Sequence, residues 1–222
     1  MIYNYDDFIK ALQTAGFSMG GGNADGIYAV ITWGWQQDPP YPTPVSWHTG
    51  DPETDPWEWI NRVLAERKDI AYGKLFFRKS GYITEEWFSP FLSVRRAGVN
   101  FDEAYADGTI SHFAKRIYEA VAENGRLPVE EIKRIGGFSR EDKSGFDRAL
   151  VELQMKMFIS PCGLHTKRQG WASTIFCPAE QIYGTETDEY TTDDAFDIIR
   201  EQILKLNPSA EEKKIAKFIR GF

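Results

Sequence analysis

The sequence contains little cysteine, no long apolar run and no general excess of positive charge. Two cysteines among 222 residues are too few for a disulfide framework, whereas a hydrophobic content of 42% is enough to bury a core. No run approaches the roughly 20 apolar residues of a membrane helix, and the first residues lack the basic and apolar regions of a secretion signal. We therefore expect a cytoplasmic protein that does not associate with membranes.

The charge distribution limits which functions are open to the protein. A formal net charge of −7 excludes a protein that coats nucleic acid by its overall charge, so any contact with DNA must come from a local face. Residues 111–172 differ from the rest, because they hold 11 Lys and Arg against 8 Asp and Glu. This net charge of +3 is compatible with a nucleic-acid partner.

Several familiar motifs are incomplete. The Gly20-Gly21-Gly22-Asn23 run lacks the Lys-Ser/Thr that gives a phosphate loop its chemistry. Cys162, His165 and Cys177 lack the fourth ligand of a structural zinc site. The two cysteines are instead expected to be near neighbours across a hairpin, where they act as small buried hydrophobes. We therefore predict no metal and no cofactor.

The stretch from Thr109 to Pro178 carries the clearest structural pattern. Apolar residues recur with helical spacing in three successive segments, each with its own start and stop signals. The first segment ends at Asn124-Gly125, the second is predicted to have Pro128 in its first turn, and the third is predicted to begin at a Ser139–Asp142 capping box. Three short helices are therefore expected here.

A predicted β-hairpin follows the third helix. One strand-like run covers Phe158 to Leu164, a polar tip follows it, and a second run covers Trp171 to Phe176. Three helices followed by a hairpin form a winged helix, so we predict an α+β fold that contains one. The predicted divisions are an N-terminal mixed α/β region with a long proline-rich loop, a winged-helix domain and a tail of two C-terminal helices: residues 1–108, 109–178 and 179–222.

A winged helix commonly places its third helix in the major groove of DNA and its wing along phosphate. The residues that would make these contacts lie on the polar side of the third helix and at the hairpin tip: Arg140, Ser144, Arg148, Lys167, Arg168 and Trp171. Winged helices also dock proteins or serve a purely structural role. A non-catalytic transcriptional regulator or protein-interaction module is therefore the alternative prediction.

A second candidate site is the loop before a predicted helix that ends near Arg67-Lys68-Asp69. Here Asp55 is a good helix N-cap, with Pro56 in the first helical position. His48, Asp51 and Asp55 are weak catalytic candidates, because a histidine beside carboxylates among tryptophans can perform acid–base chemistry. Turn and capping chemistry accounts for the same residues equally well. An enzyme acting on a small molecule through this loop is a third hypothesis.

Two further regions have patterns with more than one interpretation. Residues 70–83 are predicted to form a hairpin with its turn at Lys79-Ser80-Gly81, and the basic residues around it are interleaved with aromatics. Such a pattern is typical of nucleic-acid binding but equally of a strand with one solvent face. The two C-terminal helices are expected either to pack on the N-terminal half or to pair with a second subunit in a homo-oligomer.

Several of these stretches together resemble the AlkZ-related proteins, a group of short bacterial relatives of the AlkZ DNA glycosylases. The resemblance lies in the run Trp47 to Trp57, the block from Ala71 to Ile83, the predicted winged helix and the tail Ile203 to Pro208. It implies an AlkZ-like winged-helix core that contacts DNA, with a role in DNA repair, either as a glycosylase or as a degenerate form of one. Gln36-Gln37-Asp38 matches the family's Gln-x-Asp catalytic motif in its letters, although its middle residue is polar and Pro39-Pro40 place it in a loop.

Overall fold

The computed structural model of the chain describes residues 1–21, 27–30, 43–165, 172–184 and 190–221. The described part is an α+β protein in which helices surround two small antiparallel sheets. None of its helices is long and apolar enough to cross a bilayer.

The first sheet organises the N-terminal half. Its strands lie in the order β1-β3-β2, and all its pairings are antiparallel. The elements of this half are α1 (Tyr5–Ala15), β1 (Phe17–Met19), α2 (Pro56–Glu66), β2 (Ile70–Phe76), β3 (Lys79–Thr84) and α3 (Phe88–Arg96). Aromatic side chains dominate the adjoining core, where the buried Trp59 of α2 stacks on Phe8 of α1 with ring centroids 5.1 Å apart.

The middle of the chain has the predicted order of three helices and a hairpin, together with a short strand that the sequence did not reveal. Its elements are α4 (Phe101–Ala106), α5 (His112–Asn124), β4 (Leu127–Pro128), α6 (Val129–Ile135), α7 (Lys143–Met155), β5 (Ile159–His165) and β6 (Ser173–Pro178). The second sheet has the order β4-β6-β5, because β4 pairs with β6 along the outer edge of the hairpin. A two-residue strand leaves no periodic pattern in a sequence.

Two predicted helix starts in this region are displaced. Pro128 lies in β4 with extended backbone (φ −70°, ψ 155°), so α6 begins one residue later. The third helix, α7, begins at Lys143, four residues after Ser139. Here the Asp142 carboxylate accepts the Ser139 backbone N–H at 2.8 Å, but the Ser139 hydroxyl donates to the same carboxylate. Only half of the predicted capping box therefore forms.

The C-terminal elements pack on the N-terminal half. These elements are α8 (Glu180–Tyr183), α9 (Thr192–Leu206) and α10 (Glu212–Arg220). The buried Ile199 and Phe218 share a core with Phe17 and Phe76 of the first sheet, and the Phe76 and Phe218 rings stack 3.8 Å apart. Before α10, the Ser209 hydroxyl donates to the Asn207 side chain at 2.8 Å, and Glu211 occupies the N-cap position of α10 without a side-chain capping hydrogen bond.

Close contacts fix the position of α7. A Cβ at Gly145 would lie 2.4 Å from the Phe113 ring, so a glycine at this position permits the close approach of α7 to α5. On the other side, the buried Gln154 accepts the Lys74 backbone N–H at 2.9 Å and donates to the Leu150 carbonyl at 2.9 Å. The helix is therefore held between α5 and the first sheet, and one side of it remains exposed.

Candidate nucleic-acid interface

The exposed side of α7 carries residues that the sequence analysis assigned to DNA contact. Ser144 and Arg148 lie one turn apart, and the Arg148 Nε donates to the Ser144 carbonyl at 3.2 Å. Arg140 lies in the turn before the helix, where hydrogen bonds from the Ser139 N–H and hydroxyl lower the pKa of Asp142. Arg140, Ser144 and Arg148 are all exposed, so none of them is buried beneath the C-terminal helices.

A cleft with a volume of about 1030 Å³ lies beside this side of α7. Its walls are the turn between β2 and β3, the start of α5, α7 itself and the end of α10. The cleft is lined by four cationic side chains, Arg78, Arg148, Lys156 and Lys217. Only two of its lining side chains are carboxylates, Asp147 and Glu152. The lining therefore has an excess of positive charge within a chain that is negative overall.

The charged groups of the cleft differ in how far they are already neutralised. The Glu152 carboxylate accepts the Ser111 backbone N–H at 3.0 Å and the Ser111 hydroxyl at 2.7 Å, so it is engaged at the start of α5. Among the described residues, Arg78, Lys156 and Lys217 have no ion-pair partner. An anion that enters the cleft therefore meets cations that are not already paired.

Arg78 reaches the cleft through a tight and strained turn. The β2–β3 turn lies at Phe77-Arg78 and not at the predicted Lys79-Ser80-Gly81, since Phe76 pairs with Lys79. Both turn residues have left-handed backbone, with φ of 50° and 61°, which is normally found in glycine or asparagine. Gly81 is instead a strand residue beneath the Phe76 ring, where a Cβ would lie 2.4 Å from the ring.

Three other basic residues near this hairpin have structural roles. Arg96 forms an ion pair with Glu180 at 2.7 Å, and Lys74 donates to the Ser80 hydroxyl at 3.1 Å. Arg95 is buried and donates to the carbonyls of Met155, Phe218 and Ile219 at 3.0 to 3.1 Å. Because these carbonyls end α7 and α10, Arg95 holds two walls of the cleft together.

The loop that contains His48, Asp51 and Asp55 is organised by its carboxylates. Asp55 is buried and caps α2 as predicted, since its carboxylate accepts backbone N–H groups from Trp57, His48 and Gly50 at 2.8 to 3.1 Å. Asp51 accepts the Glu53 N–H and the Thr54 hydroxyl, and these hydrogen bonds lower its pKa.

His48 is exposed, with its ring 5.6 Å from that of Trp57. None of His48, Asp51 and Asp55 lines the cleft beside α7. Catalytic roles for these three residues stay predictions.

The sequence matches the AlkZ-related family over residues 2–220. The chain belongs to the AlkZ-related family. A search of curated proteins found no match. Among solved structures, the chain is similar to the Streptomyces sahachiroi DNA glycosylase AlkZ, with 16% sequence identity and a TM-score of 0.45. The match covers 74% of this chain and spans only half of that glycosylase.

Part of the predicted interface of this AlkZ-related protein lies outside the described residues. Lys167, Arg168 and Trp171 belong to the hairpin tip between β5 and β6, which the structure does not describe, and the same holds for Gln36-Gln37-Asp38. In the ranges that are described, no group of three or more His, Cys, Asp or Glu side chains is placed to hold a metal ion.

Three of the cleft's cations were absent from the sequence-based assignment of DNA contacts, namely Arg78, Lys156 and Lys217. Lys217 belongs to the basic side of the strongly amphipathic helix α10. This basic side is the sequence feature from which Lys217 could have been predicted as a binding residue. The cleft brings it close to α7 only because the apolar side of α10 packs on the first sheet.

Proposed function

We propose that this AlkZ-related protein binds DNA through a winged helix formed by residues 109–178 and acts in DNA repair. The winged-helix interpretation is supported by the order of the elements, which is α5, β4, α6, α7, β5 and β6. It is also supported by the pairing of β4 with the hairpin. Membership of the AlkZ-related family supports the link to DNA. In this proposal α7 is the recognition helix and the β5–β6 hairpin is the wing.

The observation that carries the proposal is the exposed side of α7 beside a cleft with unpaired cations. Phosphate contacts supply most of the affinity of a DNA-binding protein, and they need lysines and arginines that are not committed to other partners. Arg148 would contact DNA from the helix, while Arg78 and Lys217 would contact phosphate from the two flanking walls. Binding thus depends on a local face, as the net charge of −7 requires.

Fluorescence anisotropy with labelled duplex DNA over a salt series tests this proposal. A protein that contacts several phosphates loses affinity steeply with salt, and each lost contact lowers the logarithmic slope by about one. We expect Arg148→Gln with Lys217→Gln to weaken binding about tenfold or more and to reduce the slope by about two. Binding that is independent of salt, or equal in the double variant, would refute it.

The control removes one positive charge away from the cleft. Lys10 is exposed on α1 and does not line the cleft, so Lys10→Gln should leave both the affinity and the salt slope unchanged. Formation of abasic sites in alkylated duplex DNA, measured with the same preparations, separates a glycosylase from a DNA-binding protein without catalysis.

A further inference from the structure

Two cysteine thiols meet at the bulge of the β5–β6 hairpin, outside the cleft. The strand register passes from Pro161 opposite Phe176 to Gly163 opposite Ile175, so Cys162 is the extra residue of a β-bulge. Cys177 lies one position further along β6, opposite Ser160, and the two thiols are close enough to shift each other's pKa. Both cysteines are free thiols.

The two thiols have different surroundings. Cys177 is fully buried and its Sγ donates to the Ser160 carbonyl at 3.7 Å, whereas Cys162 is partly exposed. The Arg126 guanidinium donates to the Cys162 carbonyl at 2.5 Å and also lies close to the Cys162 sulfur. The contact with Cys177 and the charge of Arg126 lower the pKa of Cys162, while the same contact and burial raise the pKa of Cys177.

This arrangement differs from that of two inert core cysteines. Packing as a small hydrophobe accounts for the buried Cys177, but it does not account for a partly exposed thiol beside an arginine. A reactive cysteine is typically accessible, close to a cation and next to a second thiol that resolves its oxidised form. Cys162, Arg126 and Cys177 supply these three features.

We propose that Cys162 is a site of reversible oxidation by peroxide and that Cys177 is its resolving thiol. The Cys162 thiolate attacks one oxygen of hydrogen peroxide, the O–O bond breaks, and the hydroxide that leaves takes up a proton to become water. The Cys177 sulfur then gives up its proton and attacks the Cys162 sulfur, the S–O bond of the sulfenic acid breaks, and a second water leaves. Two thiols are thereby oxidised to one disulfide, and one peroxide is reduced to two waters.

The disulfide would connect the bulge of β5 to β6 within the hairpin. Arg126 directly precedes β4, so the reacting group lies where all three strands of the second sheet approach one another. Neither cysteine lines the cleft proposed to bind DNA, so oxidation of this pair does not require DNA binding.

The test treats the reduced full-length chain with hydrogen peroxide, followed by alkylation under denaturing conditions and intact-mass measurement. We expect an intramolecular disulfide, which protects both thiols from alkylation, lowers the mass by about 2 Da and is reversed by dithiothreitol. Two alkylated thiols after a treatment that oxidises free cysteine, or disulfides only between chains, would overturn the proposal.

Single variants separate the two roles. Cys177→Ala retains the apolar packing and should stop at a sulfenic acid that dimedone traps at Cys162. Cys162→Ser should lose that adduct and the disulfide, and a Cys162→Ser protein that reacts like the parent would contradict the assignment. Circular dichroism verifies that each variant is folded.

Arg126 provides a finer measurement. Arg126→Gln should slow the alkylation of Cys162, since loss of the nearby cation lowers the thiolate population and the higher basicity of the thiolate restores only part of that loss. Arg134→Gln is the matched control, because Arg134 is exposed on α6 and paired with Glu131. Equal rates in the two variants would remove Arg126 from the site.

Discussion

Replacing Arg95 by methionine tests how the walls of the cleft are held together. Arg95 is 8% exposed, and its guanidinium donates to three backbone carbonyls at the ends of α7 and α10. Burial lowers the pKa of Arg95 to about 9, so the group remains charged at neutral pH. Methionine retains an apolar side chain of similar length but removes every donor.

The expected change in the free energy of unfolding is the difference between two opposing effects of the substitution. Three hydrogen bonds from a charged donor contribute about 1.5–3 kcal/mol each, and their loss leaves buried carbonyl oxygens without partners. Removing the guanidinium also recovers several kcal/mol of desolvation, since a buried charge is costly. We expect a net loss of about 3–5 kcal/mol in the free energy of unfolding, since the loss of three such hydrogen bonds exceeds the recovered desolvation.

Urea unfolding and thermal melting measure this change. For a chain of this size, 4 kcal/mol corresponds to a fall of about 8–16 °C in Tm. Arg134→Met is the control, since its side chain is 70% exposed and a surface ion pair contributes about 0.5 kcal/mol or less. A loss below about 1 kcal/mol in Arg95→Met would show that other groups satisfy the helix ends, and would refute the reasoning.

The remaining predictions concern the Asp55 loop and the β2–β3 turn. Asp55→Ala should lower the free energy of unfolding by about 2 kcal/mol or more, because three backbone N–H groups lose their acceptor; an unfolding curve equal to that of the parent would contradict this. Hydrogen bonds lower the pKa of Asp51 below 3.8, so its stabilisation is present above that value and is lost as the pH falls through the lower pKa of the folded state. In Asp51→Asn, the free energy of unfolding should therefore fall less steeply as the pH is lowered below about 4. A fall as steep as that of the parent would contradict this role of Asp51. Arg78→Gly should raise the free energy of unfolding by about 1 kcal/mol by relieving the left-handed backbone, yet weaken DNA binding. A variant that is less stable, or that binds DNA as tightly as the parent, would count against the role given to Arg78.

Local patterns allowed much of the secondary structure to be predicted. The cap at Asp55, the stop at Asn124-Gly125 and the strands of the β5–β6 hairpin depend on interactions within a few residues, so the sequence contains them directly. The family was also predictable, because its most specific stretches are short and contiguous. The turn of the β2–β3 hairpin was predicted wrongly at Lys79-Ser80-Gly81, whereas it lies at Phe77-Arg78. The reason is that the packing of Gly81 beneath Phe76 is not visible in a sequence.

The cleft and the cysteine pair were decided by the tertiary structure. Arg78 and Lys217 lie far apart in the chain and reach one cleft only because α10 buries its apolar side against the first sheet. Cys162 and Cys177 were expected to be neighbours, but the bulge and the contact with Arg126 distinguish their surroundings. The sequence by itself thus determined the helices, the hairpin and the family, since short-range spacing encodes them. Charged side chains from distant elements are placed by the packing of the apolar faces of those elements. This packing is determined only when the whole chain folds.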